Sequence, residues 1–428
     1  MAESVINSYF PSQVVSDAEK LSYDYGLKVA KAIEQEWFYD DRQNTRYDAN
    51  FNDFHKLRLY ARGEQSVQKY KDELSINGDL SYLNLDWTPV PIIPKFVDIV
   101  VNGIAERAYD IKAYSQDPYG VAKRTQYMES ILGDMATKEM NDFAAEEFGI
   151  NLYQNDPEKL PETQEELELH MQLTYKQAVE IAEEQAINVL LQGNQYDLIK
   201  RQFYSDITVL GIGAVKTNFT TSEGVVIEYV DPANLVYSYT ESPYFDDIYY
   251  VGEVKTIPIN ELVKQFPHLE QSDLEEIQQS GYTQRSNYHN SGPRYNDVDK
   301  NKVQVLYFNY KTYMNEVYKV KETGSGADKL IEKDDTFNPP ADAEGNFSKL
   351  ERSIETLYEG ALILGTNKLL KWEMSENMMR PKSNFTKVKM NYSIVAPHMY
   401  KGKIQSLVKR ITGFADMIQL THLKLPVS

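Results

Sequence analysis

Few residues of this 428-residue chain have types and spacing that could do chemistry. Asp231 is followed by Glu253-Val254-Lys255 in a strand-like run. Two acids and a lysine in that order can hold Mg²⁺ on the carboxylates while the lysine steadies an attacking water. The same spacing arises readily in a chain with 64 acids, and Asp231 sits before Pro232 at a turn. A turn aspartate beside a solvent-facing strand is the plainer reading. The histidines, His55, His170, His268, His289, His398 and His422, contain no i,i+3 or i,i+4 pair and no HExxH, which argues against a histidine metal site. Gly211-Ile212-Gly213 lacks the third glycine of a dinucleotide loop, and no GxxxxGKS/T is present. There is no cysteine, which excludes thiol catalysis, disulfides and cysteine-bound zinc and fits a reducing compartment. No cofactor or metal and no enzymatic activity are expected.

The elements that must position these residues start from Tyr204–Val251. A helical pattern runs into Gly211, and short β-rich runs follow at Ala214–Phe219, Val225–Val230, Leu235–Tyr239 and Ile248–Val254. Ser222-Glu223-Gly224 has hairpin composition, and Asp231-Pro232 closes the second run because proline cannot donate to a ladder. Upstream, residues 17–38 read as one helix and Phe51–Lys71 as a second. Leu83–Ala113 has an extended lead-in with Pro89, Pro91 and Pro94, then a helix with Phe96, Ile99, Val100, Gly103 and Ile104 on one stripe. Residues 119–150 and 162–203 read as acidic helices, with Glu165, Glu166, Glu168, Glu180, Glu183 and Glu184 exposed and a seam through Ala178, Ile181, Ala182, Gln185, Val189 and Leu190.

Downstream, a helix is expected from Ile259 through Phe266 and a second short one over Ser272–Gln279, and 281–300 reads as a polar loop. Val303–Tyr310 and Val317–Lys321 read as a hairpin, and Thr323–Lys349 as a long loop. Leu357–Trp372 returns as strands with Gly360 and Gly365 at turns. The last helix is expected from Lys401, with Ile404, Leu407, Val408, Ile411, Phe414, Ala415 and Ile418 at helical spacing and Lys403, Arg410, Met417 and Lys424 on the adjoining sector. The sequence therefore predicts an α+β fold.

Charge and aromatic content bound the partners. Net charge is −19, yet residues 377–428 hold nine Lys/Arg against one acid, Asp416, a net of +8, which leaves 36 basic and 63 acidic residues elsewhere, a net of −27. Such acidity argues against coating nucleic acid with the whole surface and leaves room for one basic element that faces it. Tyrosine supplies 32 of the 51 aromatic side chains, which suits half-buried subunit flanks. Tyr237, Tyr239 and Tyr244 are the interface candidates there, with Ile404, Ile411 and Phe414 on the last helix. The first residues lack a signal-peptide pattern, and Val90–Ala105 is too interrupted by Lys95, Asp98 and prolines to cross a membrane.

The proline-led "VDIVVNGI" run and the helix–strand–helix–strand–helix order resemble the portal proteins of tailed bacteriophages, nearest to those of crAss-like phages. The resemblance implies a helical wing over 1–255 with strands at about 214–254, a first stem region over 256–300, a β-rich clip over 301–396 and a second stem helix over 397–428. It further implies a homo-oligomeric ring, dodecameric in the family, at one capsid vertex of the virion, assembled in the bacterial cytoplasm. Terminase, tail adaptor proteins, the major capsid protein and double-stranded DNA would be its partners, and no membrane. Lys403, Arg410 and Lys424 would then face the DNA channel. Portals continue into a tunnel loop and crown, which this sequence does not reach. Two alternatives stand beside it: a Mg-dependent nuclease, whose Asp…Glu-x-Lys order Asp231, Glu253 and Lys255 resemble, and a virion scaffold or adaptor without DNA contact.

Overall fold

The computed structural model describes residues 9–39, 45–75, 85–106, 111–114, 117–173, 175–220, 222, 224–277, 302–322, 328–338 and 347–424. Helices make up 47% and strands 24%, so the chain is α+β as the periodicities require. It divides into two units, one formed by Met1–Ala105 with Leu198–Ser428 and one by Glu106–Asp197.

The larger unit begins with α1 (Asp17–Lys20), α2 (Tyr23–Phe38), α3 (Arg46–Arg62), α4 (Gln68–Leu74) and α5 (Ile92–Ala105). The single helix expected over 17–38 is broken because the Ser22 hydroxyl accepts from the Tyr25 amide and caps a new start. Thr45 caps α3 in the same way, five residues before the helix was expected, and Gly63 ends it at φ +72°. In α5 the buried residues are Ile93, Val97 and Val101, not the stripe through Phe96, Ile99 and Gly103. Nearly every position of this helix is apolar, so periodicity could not choose its inward face. Packing on α3 and on the last helix chose it.

The smaller unit holds α6 (Pro118–Ala136), α7 (Lys138–Phe148), α8 (Gln164–Leu173) and α9 (Ala178–Gly193) around Ile131, Leu167 and Met171. Glu180, expected to be exposed, is buried. Its carboxylate accepts from the Gln177 amide at 3.0 Å in a capping box and faces Arg124 at 3.9 Å. The expected seam on α9 lies largely exposed at Ile181, Ala182 and Val189.

The larger unit resumes with α10 (Tyr196–Val209), β1 (Gly213–Thr220), β2 (Gly224–Val230), β3 (Leu235–Tyr237), β4 (Tyr250–Pro258), α11 (Ile259–Gln265) and α12 (271–277). Then come β5 (Lys302–Glu322), β6 (Asp328–Lys333), β7 (Phe347–Ile363), β8 (Leu369–Met374), β9 (Tyr392–Val395), β10 (Met399–Tyr400), β11 (Lys403–Ile404) and α13 (Leu407–Lys424). Strands β2-β1-β9 form one antiparallel sheet, and β3-β4-β5-β7-β8 form the path of a second, with β6 paired to the far half of β5. This second sheet joins strands on both sides of the expected wing–clip boundary.

Val303–Tyr310 and Val317–Lys321, expected as two arms of a hairpin, are one 21-residue strand. Lys311–Glu316 between them contains no glycine or proline to turn the chain. The true partner is β7, paired from Val305↔Ile363 to Lys321↔Phe347. Gly360 is therefore not a turn. It lies opposite Phe308, whose ring would come within 2.3 Å of an added Cβ. Part of the loop expected over Thr323–Lys349 is strand β6, and 323–327 and 339–346 lie outside the described residues, as does the expected loop over 281–300.

The two faces of the larger sheet differ. Val254, Leu306, Phe308, Tyr310 and Leu362 meet Val29, Ile33 and Trp37 of α2. Each such side chain taken fully out of water stabilises the fold by about 1.5–3 kcal/mol. Gly26 lets α2 approach this far, because an added Cβ would stand 2.4 Å from Trp372 Cγ. The indole cannot swing away freely, since its Nε1 donates to the Lys20 carbonyl at 2.9 Å. Gly26→Ala gains up to about 1 kcal/mol of helix propensity against an overpacking cost of about 1–3 kcal/mol. Urea unfolding should show the variant less stable than the parent.

Candidate functional site

The terminal region was expected to carry a row of cations along one helix, and the structure redraws it. Residues 399–404 form a tight hairpin in which Lys401 and Gly402 both have positive φ, +48° and +71°. That is the two-residue turn whose twist suits antiparallel strands, and glycine at its second position makes it accessible. Lys403 and Ile404 are thus strand residues, and α13 begins only at Leu407. Lys403 is exposed on the hairpin, while Arg410 and Lys424 are exposed on α13, so the three do not share one helical sector.

Helix α13 packs on α3 and α5. Val408 and Ala415 enter the core with Leu57, Tyr60, Val97 and Val101, and Ile404 and Ile411 pack against the same cluster. Asp416, the one acid of the terminal segment, anchors it: it accepts from Tyr70 at 2.7 Å, from Tyr60 at 2.9 Å and from Lys69. Lys409 pairs with Asp53 at 2.6 Å. Gln419 accepts from the Val90 amide at 2.8 Å and so fixes the proline-led lead-in to α13. Phe414 and Met417 remain 64% and 59% exposed, with Ile418 beside them. On α5, Phe96 and Ile99 are 54% and 60% exposed.

Among the interface candidates, Ile404, Ile411 and Tyr237 are partly buried against the chain's own core. Tyr237 is wedged edge-on against Trp37 and Phe245, and desolvation raises its phenol pKa. Tyr239, Tyr244 and Phe414 stand at the surface.

Asp231 and Glu253 are committed to different cations. Arg58 donates to both oxygens of Asp231, at 2.6 and 3.0 Å, and the same carboxylate accepts from the Ala233 amide at 2.9 Å. Glu253, 4% exposed, faces Lys216 at 3.2 Å and Lys255 at 3.1 Å and accepts from Tyr392 Oη at 3.3 Å. Burial, then the charge of Glu253, drives the Tyr392 phenol far above its usual range. No three His, Asp or Glu side chains among the described residues are placed to hold a metal ion. No described helix is long and apolar enough to cross a membrane. Gly211 and Gly213 serve packing, the first at φ +85° against Gln405 and the second under Phe203.

The grouping that sequence reading missed is Arg58 with Asp206, Asp231 and Tyr229. Arg58 lies 3.4 Å from Asp206 while clamping Asp231, and Tyr229 Oη donates to Asp206. These residues lie on α3, α10 and β2 and at the turn after it, and no spacing in the chain announces them. Burial opposes the charge on Arg58, but the Asp231 hydrogen bond and charge outweigh it and raise its pKa. A scan against protein-family models finds no match, and no curated protein is similar to this chain at a significant level.

Asp206 supplies a pH test. Burial pushes its carboxyl up to about 6 from 3.8, although Tyr229 and Arg58 pull it down. The folded state therefore favours the protonated acid. That contribution is complete below about pH 4 and is lost as pH rises through about 6. The window corresponds to about 2–3 kcal/mol. Urea titrations from acid to neutral pH should show Asp206→Asn losing less stability than the parent across that interval, with the Tyr229 hydrogen bond kept by the amide oxygen.

Proposed function

We propose that this chain is the body of a portal subunit. In this reading identical copies form a dodecameric ring at one vertex of a phage capsid, held by the major capsid protein. The ring docks the packaging terminase, passes double-stranded DNA and then anchors tail adaptor proteins. It would assemble in the bacterial cytoplasm and stay in the virion. The proline-led VDIVVNGI segment and the order of elements support it by resemblance.

The observation that carries the proposal is the outer face of α13. Phe414, Met417 and Ile418 stand in water on a helix already tied down through its other side, with Arg410 and Lys424 on the same exposed side. A lone chain gains nothing from that arrangement, whereas a subunit flanked by identical neighbours buries the apolar residues. The long β5–β7 ladder fits a projecting clip. Sparse exposed cations on a chain of net charge −19 suit DNA that must slide, since each contact with phosphate is weak and screened by salt. The separate ion pairs of Asp231 and Glu253 give no support to the nuclease alternative.

Negative-stain microscopy of the purified protein should show rings with a central hole, and monomeric particles would refute the proposal. Phe414→Glu with Met417→Glu should abolish rings while changing the unfolding free energy of the chain by less than about 0.5 kcal/mol. Lys403→Gln with Arg410→Gln should leave rings intact and alter DNA packaging or retention. Normal packaging and retention by that double variant would remove both residues from the channel.

A further inference from the structure

The two sheets of the larger unit enclose a trough of about 830 Å³. Its floor is the face of the six-stranded sheet turned away from α2, where Tyr307 and Asn309 of β5 lie beside Glu359 of β7 and Lys371 and Glu373 of β8. One wall is β1, with Lys216, Asn218 and Phe219, and the other carries Asn377, Met378 and Met379. Gln265 and Phe266, at the end of α11, also line it.

Two features define what such a space can hold. First, the floor charges are matched internally. Lys216 faces Glu253 at 3.2 Å, and Lys371 faces Glu359 at 2.9 Å and Glu373 at 2.7 Å. Glu359 also accepts from Ser375 Oγ at 2.8 Å. An ionic ligand bound against Lys216, Lys371, Glu359 or Glu373 would have to break one of these pairs, whereas a neutral one leaves them whole. Second, Asn309 is only 5% exposed, and its side-chain nitrogen meets no acceptor among the described residues. A buried donor without an acceptor is costly, and the Asn χ2 torsion is broad enough to turn the amide towards the trough.

We propose that this trough takes an uncharged, extended segment of a partner polypeptide. Asn309 donates to one of its carbonyls, and Asn218 and Asn377 offer amides to its backbone, while Gln265 is held by Tyr307 and Glu261. Phe219 and Met379, both exposed, seat apolar side chains on opposite walls. Polar amides at the floor with separate apolar seats match a chain that carries amides along its backbone and side chains to either side. The inference does not depend on ring assembly, and rings could form with the trough empty.

The test is selection of short linear peptides from a random yeast-displayed library on the purified protein, followed by calorimetry with a capped synthetic peptide of the enriched sequence. Enrichment of peptides poor in charged residues is expected, with affinity that changes little with salt. Asn309→Leu and Phe219→Arg should each weaken binding roughly tenfold or more. Asn309→Leu should not lower the melting temperature, because it removes an unpartnered polar group. If that variant fails to fold, Phe219→Arg, at an exposed position, decides alone. No enrichment, equal binding by the variants, or enriched charged peptides whose affinity falls with salt would each overturn the proposal.

Discussion

The pairing of β5 with β7 is the constraint on which the rest of the larger unit depends. It runs over 17 residue pairs. Because strand side chains alternate, that one register decides the surroundings of both faces at once. Phe308 falls opposite Gly360 and fills the space the missing side chain leaves, so the ring and the glycine are two halves of one fit. The same register turns Leu306 and Tyr310 towards α2 and Tyr307 and Asn309 towards the trough. A slip of one residue would bring Asn309 and Glu359 under Trp37 and expose the aromatic face.

Electrostatics follow the same economy. The acids buried in this unit are matched by donors from their own element and from distant parts of the chain. Glu34 faces Lys31 at 2.7 Å and accepts from the Gly365 amide at 2.6 Å. Glu253 meets two lysines and a tyrosine, and Asp206 meets Arg58 and Tyr229. Desolvation makes each unmatched charge expensive, so these groups constrain the fold more than they stabilise it. Asp416 shows the distinction from an exposed pair. A surface ion pair contributes little, but this carboxylate collects two phenols and Lys69 and so orients the last helix on α3 and α4.

With its inner face held in this way, α13 presents its outer face by default. The apolar residues there, and those of α5, are left over once the chain has satisfied its own core. That is the physical sense in which the proposed ring fits the molecule: apolar helix faces that the chain's own core leaves exposed would be covered by neighbours. Arg410 and Lys424 stand on the same exposed side of α13 as Phe414 and Met417.

The sequence by itself determined the α+β class, the positions of β1 and β2, the break at Asp231-Pro232 and the existence of α2, α5 and α13, because these rest on local periodicity and on turn residues. It also located the terminal basic segment. It could not choose the inward face of α5, where Ile93, Val97 and Val101 and the stripe through Phe96 and Ile99 are equally apolar. It extended α13 back across Lys401-Gly402, since the apolar spacing of Ile404 continues that of the helix. A two-residue turn with both residues at positive φ interrupts it. Only tertiary structure joined Val303–Tyr310 to Val317–Lys321 as one strand and buried Glu180. The Arg58, Asp206, Asp231 and Tyr229 grouping and the floor of the trough were equally invisible, because their members lie far apart in the chain and meet only when sheet register and helix packing bring them together.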